Sequence, residues 1–237
     1  MSTRSSKQSV TAELRPLSTF LSMLGRELRL TLRKPADFLN PLFFFAMVVT
    51  LFPVAVSPLP DVLRVLGPGV VWVAVLLAAL LPLNTLFGRD HEDGTLEYYA
   101  LSGQSLAALA FAKIVALWLV GVAPLVLASA LVARSYLLPA ESVPILLITL
   151  SLGGYSLCAI GAVAAGLTIG VQRASALIAL LVLPLMIPIM IFGTRAISLS
   201  SINAPLGGAI ELLAAIAILA TMLAPLATAA AVRISLE

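Results

Sequence analysis

The chain has 237 residues, 61% of them hydrophobic and only 11% charged, with a mean hydropathy of +1.11. Soluble domains carry roughly 25% charged residues, so this composition excludes a soluble globular class and describes an integral membrane protein. The formal net charge of +3 is too small for a nucleic-acid footprint, and a single cysteine, Cys158, excludes an intrachain disulfide or thiolate cluster.

Residues 1–16 are polar and of mixed charge, with no apolar core and no small-residue cleavage site. They read as a cytoplasmic tail rather than a secretory signal. Residues 17–34 follow as an amphipathic segment. At 100° per residue, Leu17, Leu21, Leu24, Leu28 and Leu32 share one face, and Arg26, Arg29 and Arg33 lie opposite. An apolar stripe facing a basic stripe suits a helix lying in the plane of a lipid bilayer's interface. The alternative is a solvated helix that joins the tail to the first span. Pro35 is expected to end this helix, and Asn40-Pro41 to open the first span with Asn40 as N-cap.

A bilayer core needs about 20 apolar residues per helix. Charge-free runs place six spans near 40–57, 68–87, 107–133, 144–169, 174–193 and 207–231. Trp72 falls one turn into the second, where an indole prefers the interface. The fourth carries a row of small residues at spacing four, Gly154, Cys158, Ala162, Gly166 and Gly170. Such rows let helices approach closely, either within the chain or between copies. In the fifth, Pro184 and Pro188 are one turn apart, and each removes a backbone bond, so a kink or an unwound turn is expected. Pro124 and Pro225 act singly in the third and sixth.

Between the second and third spans lies the densest set of ionisable groups, Arg89-Asp-His-Glu-Asp-Gly-Thr-Leu-Glu97. It includes His91, the chain's one histidine. A short helix over Thr95–Leu101 is expected, capped by Asp93 or Thr95, with Glu97 near its positive end and Gly103 breaking it. With the N-terminus cytoplasmic, eleven Lys and Arg fall on the inner side and three on the outer. The positive-inside rule therefore puts both termini and the 89–97 cluster in the cytoplasm.

The chemistry needed by an intramembrane enzyme is missing from these spans. They hold no His, no Asp and only the peripheral Glu211, and Ser151 and Ser156 have no base partner. No Walker loop occurs, so the chain lacks that route to ATP, and no charge pair crosses the midplane as a coupled transporter would require. A machine built this way draws energy from a separate ATPase, for which the 89–101 segment is the candidate dock. The competing reading is an ordinary solvated loop.

Several ordered motifs carry a family likeness. They are Asn40-Pro-Leu-Phe-Phe-Phe45, Thr50-Leu-Phe-Pro53, Pro68-Gly-Val-Val-Trp72, Arg89-Asp90, Asp93-Gly-Thr-Leu-Glu97, Leu183-Pro-Leu-Met-Ile-Pro188 and the tail from Pro225 to Ser235. From about residue 20 to its end the chain resembles membrane subunits of ABC transporters of the type 2 exporter class. More narrowly, it resembles the CcmB family, the haem exporter B proteins of cytochrome c maturation. The resemblance implies an all-α integral membrane fold: six transmembrane helices over residues 35–237 behind an interfacial helix, with a coupling segment at 88–106. It implies a non-catalytic, permease-like subunit that binds no cofactor itself, with ATP on a cytoplasmic ABC ATPase and haem as substrate of the complex. The other implied partners are a second copy of this chain, a small subunit, the haem-handling membrane subunit of the same system and, indirectly, a periplasmic haem chaperone. The implied location is the bacterial inner membrane. In the exporter class the ATPase grips the loop between spans two and three. That assigns Arg89, Asp90, Glu92, Asp93, Gly94, Thr95, Leu96 and Glu97 to ATPase coupling. Two other readings fit the same residues: an exporter permease for another amphipathic substrate, and a non-transporting scaffold of the maturation complex.

Overall fold

The computed structural model describes residues 20–33, 35–101, 105–202 and 204–236. Within them the chain is helical. Helix α1 covers 20–32, followed by α2 (Pro35–Ala55) and α3 (Pro60–Leu80). Two short helices, α4 (Gly88–Glu92) and α5 (Thr95–Leu101), then lead to α6 (Leu106–Leu117) and α7 (Ala123–Ser135). Three long helices finish the fold: α8 (Val143–Leu167), α9 (Ala174–Ser201) and α10 (Ala209–Leu236). Six stretches are long and apolar enough to cross a membrane, α6 and α7 together forming the third. The all-α, six-span fold expected from hydropathy is therefore present, and the chain is a multi-pass membrane protein. The tail over 1–16, Leu17 of the apolar stripe and the break at Gly103 lie outside the described residues.

Two helix starts differ from expectation, for one reason. The first span begins at Pro35 and the second at Pro60, so Asn40 caps nothing, and Pro41 and Pro68 lie inside helices. Proline at the first helical position loses an N–H that had no partner anyway, and its φ is already helical. An upstream proline thus starts each helix, and the interior proline is tolerated close behind it. Asp61 in the first turn of α3 adds a favourable charge at the positive helix end.

Helix α8 is the centre of the bundle, packed on α3, α6, α7, α9 and α10. Its small-residue row is used inside the chain. Side chains from other elements fill the space beside its glycines, Val122 beside Gly154 and Ala231 with Val232 beside Gly166; Leu83 does the same beside Gly161, which is not in the row. Cys158 and Ala162 are fully buried between them. Trp72 is the largest departure from expectation. It is 4% exposed, and its indole lies in a notch formed by Gly153 of α8 and Gly193 of α9. Close packing is what holds helices together in lipid, and a flat ring against two glycine backbones outweighs the preference of an indole for the interface.

The prolines divide into two kinds. Pro124 breaks the third span as expected: Trp118–Val122 forms a π turn in which the Ala123 N–H donates to the Trp118 carbonyl. Helix α9, by contrast, is helical without interruption through Pro184 and Pro188, both facing outward, so no turn is unwound there. Pro53 of α2 has no N–H for the carbonyl of Val49, and the buried Tyr136 hydroxyl donates to that oxygen at 2.9 Å. Burial pushes the Tyr136 phenol up, so it remains a donor. Tyr136→Phe keeps the ring and strands the carbonyl. It is expected to destabilise by about 1–3 kcal/mol, read as a lower melting temperature in detergent; an unchanged value would mean that the hydroxyl bond contributes nothing.

Candidate functional site

The segment after α3 folds by tight local rules. A 3-10 turn over Pro82–Thr85 ends the hydrocarbon run, and α4 starts at Gly88. Asp93 closes α4 as its C-cap, its N–H donating to the carbonyls of Arg89 and His91. Gly94 then takes a φ of +69°, a left-handed conformation that costs glycine little and reverses the chain. Helix α5 starts at once, and the Tyr98 N–H donates to the Gly94 carbonyl at 3.1 Å. Helix α5 occupies Thr95–Leu101 as the sequence pattern predicts. Its cap position is Gly94, because the left-handed turn leaves neither Asp93 nor Thr95 there. His91 Nδ1 lies 3.4 Å from Glu97 Oε1, where the two short helices meet.

The structure divides the eight segment residues into three sets. Glu92, Asp93 and Gly94 are exposed, as are Tyr98 and Leu101 further along α5. Thr95, Glu97 and Arg89 are half-buried. Leu96 is fully buried in the core, and Asp90 is 7% exposed. Asp90 is therefore not part of a solvated loop.

Asp90 belongs to a cluster of four charges drawn from three elements. Lys113, two turns into α6 and 5% exposed, pairs with Asp90 and also donates to Glu27 Oε2 at 2.9 Å. Arg26 reaches Glu27 Oε1 at 3.2 Å and Asp90 Oδ1 at 3.5 Å. Its guanidinium also lies 6.0 Å from the Tyr99 ring of α5. Two carboxylates and two cations balance, which is the condition for burying charge at all. The cluster borders a cavity of about 260 Å³ between α1, α4 and α6.

This cluster changes the reading of α1. Met23 and Glu27, one turn apart, are buried against the body, and Phe20 stacks on Phe111 of α6 with centroids 5.1 Å apart. Leu21 and Leu32 face outward, and so do Arg29 and Arg33. The helix thus has three faces rather than two: protein, apolar and basic. Arg26 sits at the edge of the protein face instead of with the other two arginines.

Glu27 and Lys113 are the residues that sequence reasoning missed. The available signals were one acid on an otherwise basic helix and one lysine inside an apolar helix. Their pairing spans 86 positions, beyond any local pattern. Among the described residues no group of three His, Cys, Asp or Glu converges as a metal site. Nor does the cluster pair a nucleophile with a base. What it can do is mechanical: it connects a surface helix, a span and the charged hairpin.

Residues 18–235 match the family described as "CcmB protein". The chain is 47% identical over 218 residues to "Heme exporter protein B" of Pseudomonas aeruginosa, covering 92% of this chain and 98% of that one. Proteins of the same description from Haemophilus influenzae and Escherichia coli are 43% and 41% identical, again over 92% of this chain and 99% of theirs. With a family match from one end of the helical body to the other, the chain belongs to the CcmB protein family.

Proposed function

We propose that this chain is the membrane subunit of a haem export complex serving cytochrome c maturation, and that α4–α5 is the surface gripped by a cytoplasmic ABC ATPase. The reading rests on one observation above the others: a short helical hairpin exposes Glu92, Asp93, Tyr98 and Leu101 while its base is bolted to the bundle through Leu96 and Asp90. A docking element needs both an exposed polar and aromatic edge and a rigid mount. The relatives' description as heme exporter protein B supplies the substrate class. Family membership supports partnership with that ATPase, with a haem-handling membrane protein and with a small accessory protein, and delivery to a periplasmic haem chaperone. Two copies of the chain then sit side by side in the complex.

Orientation follows from charge. Arg26, Arg29, Arg33, Arg89, Lys113, Arg173 and Arg233 gather at the end that carries α4–α5, against Arg64, Arg134 and Arg195 at the other. This asymmetry supports a reading with the hairpin on the cytoplasmic side, and family membership supports a bacterial inner membrane as the location. Transmission of motion is favoured over haem ligation by an imidazole, because the chain's one histidine lies in the short helix α4 of the charged hairpin.

The test is charge reversal on the exposed edge. Glu92→Lys with Asp93→Lys is expected to weaken ATPase co-purification on the order of tenfold per reversed charge, with a matching loss of c-type cytochromes and a normally folded membrane part. Unchanged co-purification and cytochrome assembly would end the docking reading. Mutating the Walker lysine of the ATPase separates transport from scaffolding, because a pure scaffold keeps working when hydrolysis stops.

A further inference from the structure

The geometry points to the Glu27–Lys113–Asp90 junction as a joint that makes the surface helix α1 travel with the α4–α5 hairpin, with Glu27 and Lys113 as positioning residues for energy coupling. This inference rests on reading α4–α5 as the ATPase dock. Three observations carry it. Lys113 stands between two carboxylates from different elements, Glu27 of α1 and Asp90 of α4, with all three side chains at most 10% exposed. Arg26 then doubles the connection, touching Glu27, Asp90 and, through its ring contact, Tyr99 of α5. Finally, the remainder of the α1 face that packs on the body is hydrocarbon, with Phe20, Met23 and Leu24 set against apolar neighbours.

Hydrocarbon contacts alone would let α1 slide, since apolar surfaces have no preferred register. Charge-assisted hydrogen bonds do have one. A buried ion network is a poor way to gain stability, because well-packed apolar residues do as well or better. In a chain this rich in hydrocarbon its presence is better explained by the fixed geometry it imposes. Leu21 and Leu32 on one outward side and Arg29 and Arg33 on another hold α1 at the membrane surface. A push on α5 therefore reaches a helix anchored in lipid, and it passes through Asp90, Lys113 and Glu27.

The experiment uses the purified complex with its ATPase in lipid nanodiscs, and reads haem transferred to the periplasmic chaperone per ATP hydrolysed. Glu27→Gln removes one bond and leaves Lys113 paired with Asp90, so the fold is kept. Transfer per ATP is expected to fall on the order of tenfold, the size of an ordinary coupling free energy, with the ATPase still bound. Lys113→Arg keeps the charge that both carboxylates face, in a bulkier planar head, and is expected to lose less transfer per ATP than Glu27→Gln. An unchanged ratio in Glu27→Gln would overturn the joint. So would loss of the ATPase from that variant, because the cluster would then shape the dock instead of transmitting through it. Failure of the docking reading shows separately, as retained ATPase in the Glu92→Lys, Asp93→Lys protein.

Discussion

Lys113→Met is expected to destabilise the folded protein by about 3–5 kcal/mol, the usual cost of removing one partner from a buried ion pair. Methionine nearly matches lysine in length, so what disappears is charge rather than volume. Glu27 and Asp90, each 7% exposed, would then face each other with only Arg26 for compensation. The side chain of Arg26 is 37% exposed, and its contacts, at 3.2 and 3.5 Å, are longer than the Lys113 bond to Glu27. Solvent screens such a cation too well for it to replace a buried one. The measurement is the melting temperature of the purified protein in detergent, with protease cleavage of α1 as a local reporter. Adding Glu27→Gln and Asp90→Asn to Lys113→Met removes the stranded charges and is expected to recover most of the loss. A single Lys113→Met protein as stable as wild type would mean that the carboxylates find other partners.

How far the molecule is legible in its sequence depends on how local each determinant is. The six spans are readable because hydrocarbon thickness and charge-free runs are properties of contiguous sequence. The α5 helix is readable for the same reason: Gly94 breaks the chain, and Thr95–Leu101 restarts it. Helix starts are misplaced where two prolines compete, Pro35 with Pro41 and Pro60 with Pro68, because either residue of each pair fits a first turn. The fourth-span small-residue row announces close packing, but its partners Val122 and Ala231 come from two different elements far apart in the chain. The site is half visible. Its exposed acids Glu92 and Asp93 are evident in the charge run, whereas the inward turn of Asp90 toward Glu27 and Lys113 depends on helices that meet only in the fold. Residue type alone also misplaces Trp72, since its notch is made by Gly153 and Gly193, far along the chain.

That notch carries the largest expected effect of a single added methyl group. A Cβ on Gly193 would overlap Cζ2 and Cε2 of Trp72, and one on Gly153 would overlap Cη2 while lying 3.1 Å from Ile189 Cγ2. The indole is flat, rigid and 4% exposed, so it cannot swing aside as a lysine or methionine would. Gly193→Ala is therefore expected at or above the upper end of the roughly 1–3 kcal/mol that overpacking costs. In lipid, helix association depends on such contacts, so α3, α8 and α9 should separate before the rest of the bundle. Trp72→Ala alone leaves a cavity and is expected to cost about 3–5 kcal/mol. The double variant decides the matter, because the new methyl group then points into vacated space. Its cost should be close to that of Trp72→Ala and well below the sum of the two single changes. Melting temperatures of the four proteins in detergent complete the cycle. If the two costs simply add, the methyl group and the indole never competed for one space, and Trp72 belongs at the membrane interface, where its residue type alone would put it.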